Sequence, residues 1–149
     1  MIEGNQFIET VKSYFAFLES EFNFKVLEEK IIGNAFYDVQ YRDETRLVSV
    51  SYENIEDYLL VTIFMLRNGE LPDYDDKTKT LHLNQLNAIV LPRVDKTEIS
   101  LNSDNFSMFQ PRNELERKLL KSAKELRLCL KHFSFIFEVS RNASNLPAS

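Results

Sequence analysis

The sequence predicts an α+β fold. An antiparallel β-meander spans about residues 34–66, with room for extra edge strands. It packs against an N-terminal helix and a long C-terminal helix. Two short runs alternate apolar and polar residues, as half-buried strands do. A third run, Leu59 to Leu66, is apolar at every position except Thr62. Apolar residues on either side of the meander recur at three- and four-residue steps, the spacing of a helix stripe.

The N-terminal helix is expected over about Asn5 to Glu21, with Asn5 as N-cap and Phe7, Val11, Tyr14, Phe15, Leu18 and Phe22 along one stripe. Asn23 suits a C-cap. Residues 24–32 read either as a further strand or as an irregular lead-in. In the first strand, Ala35, Tyr37, Val39 and Tyr41 share one face, and Phe36, Asp38, Gln40 and Arg42 the other. In the second, Val48, Val50 and Tyr52 oppose Ser49 and Ser51, which suit a wetted face. Asp43-Glu44-Thr45 is short and polar, as a hairpin loop is. The third strand is apolar on both faces, so both are covered or one meets another chain. Asn68-Gly69 ends it with a turn signal.

Residues 69–80 are expected to form a polar loop, followed by a short helix over about Asn84 to Val90; Pro92 either stops it or begins the following turn. Ile99 and Leu101 alternate like a short edge strand, with a turn at 102–104. The C-terminal helix starts near Asn113, just after Pro111, and runs to at least Leu130. Leu115, Leu119, Ala123, Leu126, Leu130, Phe133 and Phe137 form its core seam. Arg117, Lys121, Lys124 and Lys131 take the other side, where Leu128 and Phe135 also fall. Residues 132–140 read as helix or strand, and 141–149 as a frayed tail.

The 149 residues fit one domain, 1–149, large enough to fold without a disulfide or a metal. One cysteine, Cys129, forbids an internal disulfide and suits a reducing compartment. The first residues carry no secretion signal and no run reaches the roughly 20 residues a membrane span needs. A cytoplasmic location, without membrane contact, is therefore expected.

The net charge of −5 is unevenly shared. Residues 1–76 carry 16 acids and 6 bases; residues 77–149 carry 7 acids and 12 bases. The densest stretch holds Glu53, Glu56, Asp57, Glu70, Asp73, Asp75 and Asp76 against Arg67 alone. Such a field repels nucleic acid and attracts a basic protein partner; the plainer reading is a solvated rim. These seven acids are the candidate partner-binding residues. Leu128 and Phe135, apolar among lysines, are candidate contacts of a homodimer.

Chemical motifs are sparse. A calcium loop beginning at Asp73 needs glycine and glutamate where Thr78 and Asn84 stand. Two histidines and one cysteine do not complete a zinc site without carboxylates. His82 and Cys129 lie on different elements, and three glycines make no phosphate-cradling loop. No catalytic, metal or cofactor residue is assigned, and a non-enzymatic role is expected.

The order of features is similar to that of small bacterial proteins grouped with polymorphic-toxin immunity proteins. It comprises Tyr14-Phe15-Ala-Phe17-Leu18, Gly33-Asn34-Ala35, Val48-Ser-Val50-Ser-Tyr52, Leu59 to Leu66, Leu81-His-Leu83-Asn-Gln-Leu86 and Leu119-Leu120-Lys-Ser-Ala123. The resemblance covers about residues 7–130. It implies an α+β fold and a protein that neutralises a toxin domain by binding it, with no functional residue carried over. Type III secretion chaperones resemble the chain in size, acidity and apolar third strand. That likeness implies a dimer holding an effector segment.

Overall fold

The computed structural model describes residues 2–73, 76 and 78–136. Asp75, the remainder of the 132–140 segment and the 141–149 tail lie outside the described residues. The elements are α1 (Gly4–Tyr14), α2 (Phe17–Ser20), β1 (Lys25–Ile32), β2 (Phe36–Arg42), β3 (Arg46–Glu53), β4 (Tyr58–Met65), β5 (Thr80–His82), α3 (Leu83–Val90), α4 (Lys96–Asp104) and α5 (Glu114–Lys131). The five strands form one antiparallel sheet in the order β1-β2-β3-β4-β5. The expected meander is its centre, and β1 and β5 add an edge on each side.

The helices cover the face predicted from the alternation. Tyr37, Val39 and Tyr41 of β2, Val48, Val50 and Tyr52 of β3, and Val61 and Ile63 of β4 are all buried there. Phe7 of α1 packs on Tyr37 and Tyr52, with ring centroids 5.6 and 5.8 Å away. The start of α1 presses so closely on the sheet that a side chain at Gly4 would meet Ile31 Cγ2 at 2.9 Å and Tyr37 Cε1 at 3.0 Å.

Several expectations change. The N-terminal helix is not continuous over 5–21: it breaks at Phe15 and Ala16 into α1 and α2, and its N-cap is Glu3 rather than Asn5. Tyr14, Phe15, Phe17 and Leu18 fan too widely for one stripe, and the break lets all four be buried. Of the two readings of 24–32, the strand holds. The short edge strand expected at Ile99 and Leu101 is instead part of α4. Its N-cap Asp95 accepts from Thr97 N–H at 3.3 Å, with Glu98 in the first turn. Ser49 is not on a wetted face: it is buried and donates its hydroxyl to Asp38 at 2.7 Å. The Asp38 carboxyl is raised by burial, against the lowering effect of its bonds from Ser49 and Gln40.

α5 is the central helix, packing on α1, α3, α4 and β4. Asn113 caps it by accepting from Glu116 N–H at 2.9 Å. The chain is again helical over 133–136. Because both α3 and α4 lie against α5, its last turns are enclosed nearly all round, and Arg127, Leu128, Cys129 and Leu130 are buried together. The Arg127 guanidinium grips Glu21 at the end of α2 at 2.6 and 2.9 Å and Asn102 of α4 at 2.7 Å. Three helices are thereby fastened through the buried Arg127, with Glu21 at the surface end of the contact.

The bond from Arg127 holds the Glu21 carboxyl below its ordinary value, with Lys131 adding to the effect. A lowered acid stabilises the fold above its unfolded value and ceases to do so as pH falls through the folded one. Glu21→Gln should therefore melt below the parent at neutral pH. The gap should close as acidification proceeds below the ordinary value of 4.5, as read by thermal melts across pH.

The Tyr41 hydroxyl is buried with no hydrogen-bond partner among the described residues, and burial drives its ionisation far upward. Removing an unsatisfied buried polar atom relieves its desolvation. Denaturant melts of Tyr41→Phe should show stability unchanged or raised by up to about 1 kcal/mol, whereas Leu126→Ala in the same core should lose about 2–5 kcal/mol.

Candidate protein-binding site

The seven candidate acids do not form one patch. Glu53, Glu56 and Asp57 sit around the β3–β4 turn, whereas Glu70, Asp73 and Asp76 sit in the β4–β5 link. The eight residues of β4 separate them, a strand roughly 25 Å long at about 3.3 Å per residue. Asp75 is outside the described residues.

The β4–β5 group sits on a tightly turned link, with Asp76 bound into its own loop. Asn68-Gly69 makes a tight turn with both residues at positive φ, 53° and 79°, and Arg67 and Glu70 exchange backbone bonds across it. Arg42 donates to the Gly69 carbonyl at 3.4 Å. Asp76 turns inward on its own loop, accepting from the Thr78 hydroxyl at 2.6 Å and the Thr78 N–H at 3.0 Å. Those bonds hold its carboxyl low.

The β3–β4 tip is a different kind of surface. Glu53 pairs with Tyr58, so the loop is the four residues 54–57. Asn54 is its buried anchor. Its N–H donates to Ala35 O at 2.8 Å, and its amide lies within 3.0 Å of the carbonyls of Ile2 and Asn34 and the hydroxyl of Tyr37. Tyr37 in turn donates to Ile2 O at 2.8 Å. Asp57 closes the loop at φ 50°, a region aspartate tolerates. It accepts from the Tyr52 hydroxyl at 2.6 Å. Burial and that bond push Tyr52 up to about 12.

On this rigid base stand two apolar side chains in water: Ile55 is 78% exposed and Tyr58 53%. Glu53, Glu56 and Asp57 flank them in the chain. The one basic side chain paired to the tip among the described residues is Lys118, 3.8 Å from Asp57. Exposed apolar anchors inside a charged rim are what a protein–protein contact uses. In the sequence the acids stand out by number, whereas Ile55 is a lone isoleucine in a polar turn.

The homodimer candidates fare differently. Leu128 is 2% exposed and points into the core, so it offers no surface. Phe135 is half-buried and stacks on His132, with centroids 5.1 Å apart. Cys129 is buried, donates to Asn87 at 3.4 Å, and is pushed up to about 12 by burial, leaving it a protonated thiol. Asn87 also bonds Glu125, whose carboxyl burial raises. Together with Tyr58, His82 and Lys121, Asn87 and Glu125 line a groove of about 370 Å³ between β4, β5, α3 and α5. Among the described residues no group of three or more histidine, cysteine or carboxylate side chains is placed to hold a metal. No described helix is long and apolar enough to cross a membrane.

No protein-family model, curated protein or solved structure matches the chain.

Replacing Asn54 tests the anchor of the tip. Asn54→Ala removes the donor to the Asn34 carbonyl and one of the two donors to the Ile2 carbonyl, which Tyr37 still serves. Chemical denaturation should show a loss of about 2–3 kcal/mol, larger than an exposed turn substitution produces.

Proposed function

We propose that this is a non-enzymatic binding protein of the immunity type, which meets a basic toxin domain in the cytoplasm through the β3–β4 tip. The observation that supports this reading is Ile55 and Tyr58 exposed on a hydrogen-bonded turn that also carries Glu53, Glu56 and Asp57. The apolar pair supplies desolvated contact area. The acids draw in a positively charged partner and fix its orientation. A toxin that acts on nucleic acid must itself be basic, which makes it a suitable partner. Glu70, Asp73 and Asp76 extend the negative field from the far end of β4 rather than the contact itself. The chaperone reading predicts a different surface, an apolar one that holds an extended effector segment.

Affinity capture from the native cell, with the captured protein identified and purified, tests the proposal. One folded basic protein should be recovered. Ile55→Ala should weaken its binding by roughly ten- to hundredfold, the size of a buried anchor. Glu53→Gln with Glu56→Gln should mainly slow association and flatten its dependence on salt. Recovery of an unfolded secreted protein, indifferent to these changes, would favour the chaperone. Turnover of a small metabolite with no protein captured would end the binding reading.

A further inference from the structure

β1 is an outer strand of the sheet, and among the described residues no strand pairs with its free side. Seven of its eight residues are exposed, among them Leu27, Ile31 and Ile32. A long edge with exposed apolar side chains is a template for another strand unless it is blocked. The one irregularity, a bulge between Val26 and Glu28, lies near one end and leaves Glu28 to Ile32 regularly paired with β2.

The charges along β1 are arranged to match themselves. Two antiparallel copies related by a two-fold axis normal to the sheet keep each residue on its own face, so the axis must pass through a residue position. With the axis at Glu29, Glu28 faces Lys30 of the second copy, and Lys30 faces its Glu28. The two Glu29 side chains meet at the centre, and each is already held by Lys12 of its own chain at 2.8 Å. Moving the axis to Glu28 sets Glu28 against itself. Moving it to Lys30 sets lysine against lysine and Glu29 against Ile31. Only the Glu29 register of these three makes opposite-charge pairs. Beside this edge lies a groove of about 450 Å³, lined by Asn5, Ile8, Glu9, Lys12, Glu29 and Ile31, which leaves room for the side chains of an added strand.

We propose that β1 pairs edge to edge with β1 of a second copy of this chain, antiparallel about Glu29, joining two five-stranded sheets into one continuous sheet. The contact is separate from the β3–β4 tip, and its occupant is the protein itself rather than a toxin or effector.

Sedimentation equilibrium of the full chain at micromolar concentration should give twice the chain mass of 17.5 kDa. Glu28→Lys and Lys30→Glu each place like charges opposite one another twice. Each should weaken the dimer roughly tenfold or more. The chain carrying both substitutions should recover the parent's dimerisation, because the pairs are then merely exchanged. Both positions are exposed, so circular dichroism should stay unchanged. Amide exchange offers a readout without mutation: protection over 25–32 should rise with protein concentration. A monomer at every concentration, a dimer indifferent to the single changes, or a double variant that fails to recover would each overturn the proposal.

Discussion

The contact on which this structure most depends is the seating of Phe7 between Tyr37 and Tyr52. It joins α1 to two neighbouring strands in an apolar layer, where aromatic rings contribute both area and orientation. Its effects extend outward through hydroxyl groups. Tyr37 reaches Ile2 and Asn54, while Tyr52 reaches Asp57. The same rings that fill the core therefore hold the exposed turn in shape. Moving α1 disturbs the surface at Ile55 without touching it.

Much of the fold was legible because its strands are half-buried in the ordinary way. Tyr37, Val39 and Tyr41, then Val48, Val50 and Tyr52, alternate and are buried as the alternation implies. The seam of α5 was equally plain from Leu119, Ala123, Leu126 and Leu130. What escaped has physical reasons. β5 has three residues, too few to show a period. α4 is weakly amphipathic, so Ile99 and Leu101 drew attention while Asp95 and Glu98, its start signal, did not. Ser49 is buried because Asp38 gives it a partner, and a side chain–side chain bond across strands leaves no trace in a one-dimensional pattern. Leu128 lies off the seam, yet α5 is enclosed by neighbours on several sides.

The candidate site shows the same division. Sequence proximity puts seven acids in one group, and β4 carries the six described ones to opposite ends of the sheet. Their local environments differ too: Asp76 spends its carboxylate on Thr78, whereas Glu53 and Glu56 face water beside Ile55 and Tyr58. The distinction between a solvated rim and a contact surface rests on the apolar residues among the charges. Composition cannot report that arrangement.

The sheet order has a consequence for how the chain reaches this structure. Every strand neighbours the next one in sequence, and β1 to β4 join through the short links 33–35, 43–45 and 54–57, with little chain to close; only β5 comes after a longer link, 66–79. The bonds between the chain's two ends are of another kind: Tyr14 to Glu116 spans 102 residues, and Glu21 to Arg127 spans 106. Closing such loops is slow in the search for the native state, and late-formed contacts act chiefly on the rate of escape from it. The clasp of α2, α4 and α5 around Arg127 thus ties segments far apart in sequence to a sheet whose strand neighbours are consecutive.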